Sequence, residues 1–298
     1  MKPIAGTCGE HYIPYPERTG AESVVYFTRE LSSDGLEKLF HRISENLTGK
    51  VAIKLHTGER NGPNIIPRPW VKQLVDNAIP GGVIVETNAY YEGERHDTES
   101  HREVVKANGW TFAPVDILDE DGAMMLPIKD GKWFQEMYVG KHIVNYDSLL
   151  VLTHFKGHTL GGFGGSNKNI GIGCADGQIG KGMIHSLDGK MWGMNNEEFM
   201  ERITESTKSV TDHFGEKIVY INVMRNMSVS CDCEGTQAQP VVEELGLSVR
   251  AYNGLYRWNL RLVRDVAKLN EDELLKVPGI GRGTAKEIME KIKEVYGR

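Results

Sequence analysis

Residues 153–174 read THFKGHTLGGFGGSNKNIGIGC. The stretch holds His154 and His158, Lys156 and Lys168, Asn167 and Asn169, and Cys174, with seven glycines among them. The apolar run Leu149–Leu152 leads in and reads as a buried strand, and the polar groups begin where that strand should end. Glycine lets backbone approach a ligand closely or adopt positive φ. The expectation is therefore a strand feeding a glycine-rich site loop on a rigid scaffold; a solvated surface loop is the plainer alternative. The density of Gly161, Gly162, Gly164 and Gly165 predicts a demanding backbone there, with a β-branched residue at Gly164 excluded.

Upstream, Val51–His56 and Val83–Glu86 are strand-like, as is Val24–Thr28. Between them Leu36, Leu39, Phe40, Ile43 and Leu47 repeat at helical spacing behind Ser33-Asp34. Pro67–Ile79 reads as a helix that starts at proline and stops at Pro80-Gly81-Gly82, and Thr98–Asn108 as another. Alternating strands and helices imply right-handed crossovers and a mostly parallel sheet flanked by helices, an α/β class. Between Trp110 and Tyr146 the turn Lys129-Asp130-Gly131-Lys132 predicts a hairpin elaboration. Downstream, Asn195–Phe214 is a helix with acidic residues in its first turn, and Lys217–Met224 a further strand. From Val241 the pattern turns all-helical, with short helices at Ser248–Trp258, Leu262–Leu269, Glu271–Lys276 and Arg282–Tyr296. The expected domains are residues 1–240 and 241–298.

Of 298 residues, 40 % are hydrophobic and 26 % charged, enough for a real core. The sequence contains no run of about 18 apolar residues, so no membrane span is expected. The first residues lack the apolar core of a signal peptide, which points to the cytoplasm. Four cysteines are too few for a disulfide scaffold at this length. The net charge of −6 divides unevenly: residues 241–298 carry eleven basic and nine acidic side chains, a net of +2 against −8 for the rest. Two parts with different partners fit that asymmetry.

Ligands of open α/β folds bind outside the carboxyl ends of the strands, and polar residues gather there four times. His56 and Glu59 follow the second expected strand, Glu86 and Asn88 the third, His154, Lys156 and His158 the site strand, and Asn226, Cys231, Asp232 and Cys233 the last. Catalysis is assigned on this basis to His154, His158 and Lys168. Contact with a small anionic ligand is assigned to His56, Glu59, Asn88, Lys156, Asn167 and Asn169, since ammonium and amide groups donate to anions. Cys231 and Cys233, with Cys174 or the histidines, are candidate ligands for zinc, iron or an iron–sulfur centre; two ordinary loop thiols fit the C-x-C spacing equally well. No Walker, Rossmann or nucleophile-elbow spacing occurs.

LLKVPGIGRGTAKEIMEKI (274–292) is a helix-hairpin-helix pattern. Its glycines allow a tight turn that presents backbone N–H groups at a helix N-terminus, a site suited to a phosphate oxygen. Arg250, Arg282 and Lys286 supply counter-charge. A small bundle used only for protein contacts has the same pattern.

Two resemblances rest on these residues. KLHTGE (54–59), VETNAYYEG (85–93), THFKGH with GGFGGSNKNIGIGC (153–174) and NVMRNMSVSCDCEG (222–235) resemble the domain-of-unknown-function family 362, often labelled iron–sulfur-centre proteins. Many members carry an inserted ferredoxin-like segment with four cysteines; this sequence has none, which puts a four-iron cluster of that kind in doubt. EELGLSVRAYNGL (243–255) followed by LNEDELLKVPGIGRGTAKEI (269–288) is similar to the C-terminal domain of the bacterial RNA polymerase α subunit. The resemblance implies contact with the DNA minor groove or with a transcription protein. Arg250, Asn253, Gly281 and Thr284 match its DNA-contacting positions, while Gly283 replaces a usual lysine. Two kinds of protein follow from the sequence: an enzyme, metal-dependent or not, acting on a small anion; or a DNA-binding or transcription-associated protein in which the α/β part is a sensor or docking domain.

Overall fold

In the computed structural model the described residues are 24–62, 65–158, 162–187, 190–191, 194–225, 227, 245, 247–258, 260 and 266–296. Five parallel strands form the central sheet: β1 (Val51–Lys54), β2 (Val83–Glu86), β3 (Val115–Ile117), β6 (Ser148–His154) and β11 (Ile218–Val223), in the order β11-β6-β1-β2-β3. Three helices precede or join the first strands: α1 (Ser33–Ile43), α2 (Arg68–Ala78) and α3 (Thr98–Ala107). Three more lie between β6 and β11: α4 (Ser166–Gly173), α5 (Ile179–His185) and α6 (Asn196–Phe214). The expected hairpin is β4 (Ala123–Pro127) paired antiparallel with β5 (Glu136–Gly140). A short antiparallel pair, β9 (Ser186–Leu187) and β10 (Lys190–Met191), follows α5.

All seven residues of β6 are buried, as a strand covered on both faces requires. Leu150 and Leu152 pack with Ile53, Ile84, Phe40, Val71 and Trp110 under α1–α3, while Leu149 and Val151 pack with Val85, Ile170, Phe199 and Val210 under α4, α6 and the hairpin. The backbone builds β1-β2-β3 outward in one direction and β6, β11 in the other. The crevice between β1 and β6 is therefore the switch point where such sheets bind ligands.

Three expectations need correction. Val24–Thr28 forms no strand and its Val25 and Phe27 are largely exposed; among the described residues it pairs with neither edge of the sheet. Strand β3 is absent from the sequence reading, because three residues are too short for a period to show. The glycine-rich stretch is a loop only in part. Lys156–His158 (β7) pairs with Gly162–Gly164 (β8), and from Ser166 the backbone is helix α4. Each helical glycine costs about 1 kcal/mol of propensity, but here glycine is what lets α4 lie on α6. A Cβ at position 171, now Gly171, would sit 2.8 Å from the Ile203 carbonyl oxygen and 2.6 Å from Thr207 Oγ1.

Beyond the sheet, α7 (Val249–Arg257), α8 (Glu271–Leu274) and α9 (Arg282–Tyr296) share a small core of Leu255, Val266, Leu274, Ile280, Ala285 and Ile288. Asn270 and Glu273 form a reciprocal cap on α8. Gly279 has φ +93°, the left-handed turn expected of the hairpin joint. Of the predicted helix Leu262–Leu269, residues 262–265 lie outside the described residues.

Candidate functional site

A cavity of about 190 Å³ opens at the β1/β6 switch point, with room for on the order of a dozen water-sized atoms. Its floor is an ionic cluster. Lys54, the last residue of β1, and Glu86, the last of β2, are 1 % and 3 % exposed, and Lys54 Nζ donates to Glu86 Oε1 at 3.1 Å and to the Leu55 carbonyl at 2.7 Å. Arg95 Nη1 lies 3.5 Å from Glu86 Oε2, and Arg95 Nη2 donates to Glu59 and, at 2.9 Å, to the Tyr91 hydroxyl. Burial alone would raise the Glu86 carboxyl; Lys54, then His56, Arg95 and His101, hold it down at about 2. His56 is pushed well below its ordinary value by burial and by Arg95.

The opposite wall comes from β6 onward. Thr153, His154, Lys156, His158, Lys168 and Asn169 line it, with Lys181 and His185 from α5. Lys181 and His185 are four residues apart and so share a face of α5. Lys181 is buried, and its ammonium donates to Thr87 Oγ1 at 2.8 Å and to the Thr87 and Asn88 carbonyls. Burial lowers it to about 8. His185 Nδ1–H donates to the Lys181 carbonyl at 2.8 Å, which fixes its tautomer. Burial first, then Lys168, pushes both His158 and His185 down to about 4, and for His185 the bond to Lys181 only partly opposes this. These imidazoles are neutral at pH 7. Among the described lining residues, five cationic side chains (Lys54, Arg95, Lys156, Lys168, Lys181) face two carboxylates (Glu59, Glu86), and Asp119 acts on Lys181 from outside the lining.

Of the residues singled out from sequence, His56, Glu59, His154, Lys156, His158, Lys168 and Asn169 line this cavity. His154 Nε2–H donates to the Arg225 carbonyl. The Asn169 amide donates to the carbonyls of Lys54 and Leu152 and to Thr153 Oγ1, so it ties the ends of β1 and β6 together. Asn88 lies beneath the cavity, its side chain engaged with Thr98 and His101. Asn167 is exposed and outside the lining. Cys174 is fully buried in the core and its thiol is pushed up to about 11 by burial, whereas a metal ligand must be a thiolate. Cys231, Cys233, Asp232 and Asn226 lie outside the described residues. Among the described residues no group of three or more His, Cys, Asp or Glu is placed to hold a metal ion, and no helix is long and apolar enough to cross a membrane. The sequence reading left Lys54, Arg95, Lys181 and His185 unassigned. Lys54 carried a signal, a charge inside the apolar strand VAIK, and so did the lysine and histidine of KGMIH (181–185).

The glycine expectation also moves. Gly164 does not have positive φ, and a substituent there would make only ordinary contacts, the nearest 3.5 Å from Lys156 Cγ. The demanding positions are Gly162, whose φ of +69° suits glycine as expected of that stretch, and Gly171 and Gly173; at Gly173 a Cβ would lie 2.3 Å from Lys54 Cε.

In the helical module Arg250, Gly281 and Arg282 are exposed and Thr284 is half-buried at the start of α9; Asn253 is placed on α7 by its backbone alone.

Residues 234–294 match the family of the C-terminal domain of the bacterial RNA polymerase alpha subunit. The protein is 29 % identical over 110 residues to the DNA-directed RNA polymerase subunit alpha of Clostridium botulinum (strain Eklund 17B / Type B), covering 36 % of this chain and 35 % of that one. It is 28 % identical over 99 residues to the same subunit of Oceanobacillus iheyensis, covering 32 % of each. It thus spans about a third of the length of these curated relatives. Among solved structures, the lactate racemase apoprotein from Thermoanaerobacterium thermosaccharolyticum aligns over 60 % of this chain and 47 % of its own, with 17 % identity and a TM-score of 0.36. A Thermotoga maritima protein aligns over 65 % and 51 %, with 12 % identity and a TM-score of 0.40. Residues 51–253, more than half of the chain, match the family described as Domain of unknown function (DUF362), and the chain belongs to that family.

Proposed function

We propose that the α/β part is an enzyme acting on a small anionic substrate bound in the β1/β6 cavity. The observation that carries this reading is the lining: five cations against two carboxylates, with Glu59 and Glu86 already engaged by Arg95 and Lys54. The surplus positive charge favours an anion. Neutral imidazoles at His56, His158 and His185 stand in the same cavity, and a neutral imidazole can accept a proton from a bound substrate. Calorimetric titration of the purified protein with small carboxylates and phosphates tests the reading, which fails if none binds. Lys181→Met should weaken anion binding only through the lost positive charge, because its three N–H donors already go to Thr87 Oγ1 and to the Thr87 and Asn88 carbonyls.

Zinc or iron held by Cys231 and Cys233 is a separate proposal, and no step of the reaction is routed through it. Its test is elemental analysis of the purified protein beside a Cys231→Ser, Cys233→Ser variant: near-stoichiometric metal, lost in the variant, is the expected result.

The family match at residues 234–294 favours a second activity for the helical module, contact with DNA or a transcription protein. With Arg250, Arg282 and the hairpin backbone as contacts, roughly 2–4 neutralised phosphates give a log–log salt slope of about −2 to −4. Arg250→Ala should reduce that slope by about one. Titration of the whole protein against A·T-rich and G·C-rich duplexes at two salt concentrations checks it; no binding at low salt leaves protein contact as the module's role.

A further inference from the structure

We infer that the anion bound in the cavity carries a hydroxyl group, which donates to Asn169 Oδ1 beside the Lys54 ammonium; this deepens the anion-binding reading above and rests on it. The oxygen end of the Asn169 amide is located by what the nitrogen end does. Nδ2 meets three acceptors, the Lys54 carbonyl at 3.2 Å, the Leu152 carbonyl at 3.3 Å and Thr153 Oγ1 at 2.8 Å. The contact with Thr153 runs in one direction only. Ser166 Oγ gives its single proton to Asn222 Oδ1 at 3.1 Å, so the Thr153 hydroxyl, 3.3 Å away, donates to Ser166 Oγ. Thr153 Oγ1 therefore accepts from Asn169. A directed chain of hydrogen bonds thus passes from α4 through β6 back to α4 and on to β11, and it fixes which end of the amide is oxygen.

Oδ1 is left on the other side. It accepts from no donor among the described residues, and it is not one of the polar atoms sealed from solvent without a partner, so it opens on the cavity that Asn169 lines. Position 173 shows what stands next to it. Gly173 also lines the cavity, and a Cβ there would lie 3.7 Å from Asn169 Oδ1 and 2.6 Å from Lys54 Nζ. Lys54 Nζ uses two of its three N–H groups, on Glu86 and on the Leu55 carbonyl, and the third has no partner among the described residues. An open acceptor and an open donor thus border one spot above Gly173. A hydroxyl answers both, because its oxygen accepts while its hydrogen is donated. An ammonium group only donates, and the like charge of Lys54 repels it. An anion with neither group leaves the Asn169 oxygen unbonded once water is displaced.

The test is calorimetry on the full-length protein at pH 7 with paired anions: acetate with glycolate, propionate with glycerate, and propyl phosphate with glycerol phosphate. Fluoroacetate and glycine are added to the first pair. In at least one pair the hydroxylated member should bind wild type about tenfold or more tightly, as expected where a site hydrogen-bonds a substrate hydroxyl; a smaller ratio in every pair overturns the hydroxyl site and leaves an anion-binding cavity. In Asn169→Ala that ratio should fall below threefold, with Asn169→Leu in its place where the alanine variant loses its thermal transition. A folded variant whose ratio stays at threefold or above overturns the assignment to Asn169. Two comparisons need no variant. Fluoroacetate is close to glycolate in size but has no proton to donate, and it should bind more weakly than glycolate; glycine should do the same. Fluoroacetate or glycine binding as tightly as glycolate or tighter overturns the hydroxyl reading. Failure of every anion to bind wild type overturns both this inference and the anion-binding cavity.

Discussion

Glu86→Ala should cost the fold about 3–5 kcal/mol, because removing one partner of a buried ion pair leaves the other uncompensated. Two cations are left here. Lys54 Nζ at 3.1 Å and Arg95 Nη1 at 3.5 Å both face this carboxylate, and the Thr57 N–H donates to it at 3.3 Å. Lys54→Met should cost less, since Arg95 still faces Glu86 in that variant. The same group sets part of the acid limb of stability. Its folded-state value of about 2 lies below the ordinary 4.5, so its contribution is complete above pH 4.5 and is lost as pH falls towards 2. His158 and His185, at about 4 against an ordinary 6.5, act earlier in the same direction: their share is present above pH 6.5 and lost as pH falls to 4. Urea midpoints at pH 7, 5 and 3 should therefore decline in two stages. Glu86→Ala should start low and show a smaller second stage, since Glu59, also held at about 2, remains. A midpoint at pH 7 equal to the wild type's would refute the assignment of Glu86 as the hub.

Gly171→Val should destabilise by about 1–3 kcal/mol, the usual cost of overpacking, and should weaken anion binding as well. The new side chain meets the Ile203 backbone oxygen at 2.8 Å, and backbone in the middle of α6 cannot step aside as a flexible side chain would. Helix α4 must move instead. It is bound to α6 by Ser206 Oγ, donating to the Gly171 carbonyl at 2.6 Å, and by Thr207 Oγ1, donating to the Asn167 carbonyl at 2.8 Å. Displacing it carries Lys168 and Asn169 out of the cavity wall. Gly164→Ala is the control, since its new methyl group makes only ordinary contacts; the thermal transition should stay within a few degrees of the wild type's. A Gly171→Val protein as stable as the Gly164→Ala protein would contradict the packing described for α4.

Most of the sheet was legible because burial imposes a pattern. The run Leu149–Leu152 is apolar throughout since β6 is covered on both faces, and the polar residues at its end fall at the β1/β6 crevice. The hairpin was legible from its turn. What escaped was decided by tertiary contact. Val24–Thr28 has the composition of a strand and pairs with no strand among the described residues. Ser166–Gly173 has the composition of a loop and is helical because two of its glycines fit closely against α6 and Lys54. The lysines were legible only in part for the same reason. Lys156 and Lys168 stand in a stretch that draws attention, whereas Lys54 and Lys181 sit among apolar neighbours and acquire meaning only from what they face.

Strand β11 has a consequence for synthesis. It pairs with β6 along six residues, from Ile218 opposite Leu149 to Val223 opposite His154, yet it leaves the ribosome after everything between His154 and Ile218. At about 5–20 residues per second that interval lasts roughly 3–13 s. Until it closes, a strand with the apolar run Leu149–Leu152 at its centre presents a row of unpaired backbone groups on its β11 side, the arrangement that recruits foreign strands. The nascent polypeptide is thus most open to chaperone capture or misassembly in that window, and slowing translation just upstream of Ile218 lengthens it.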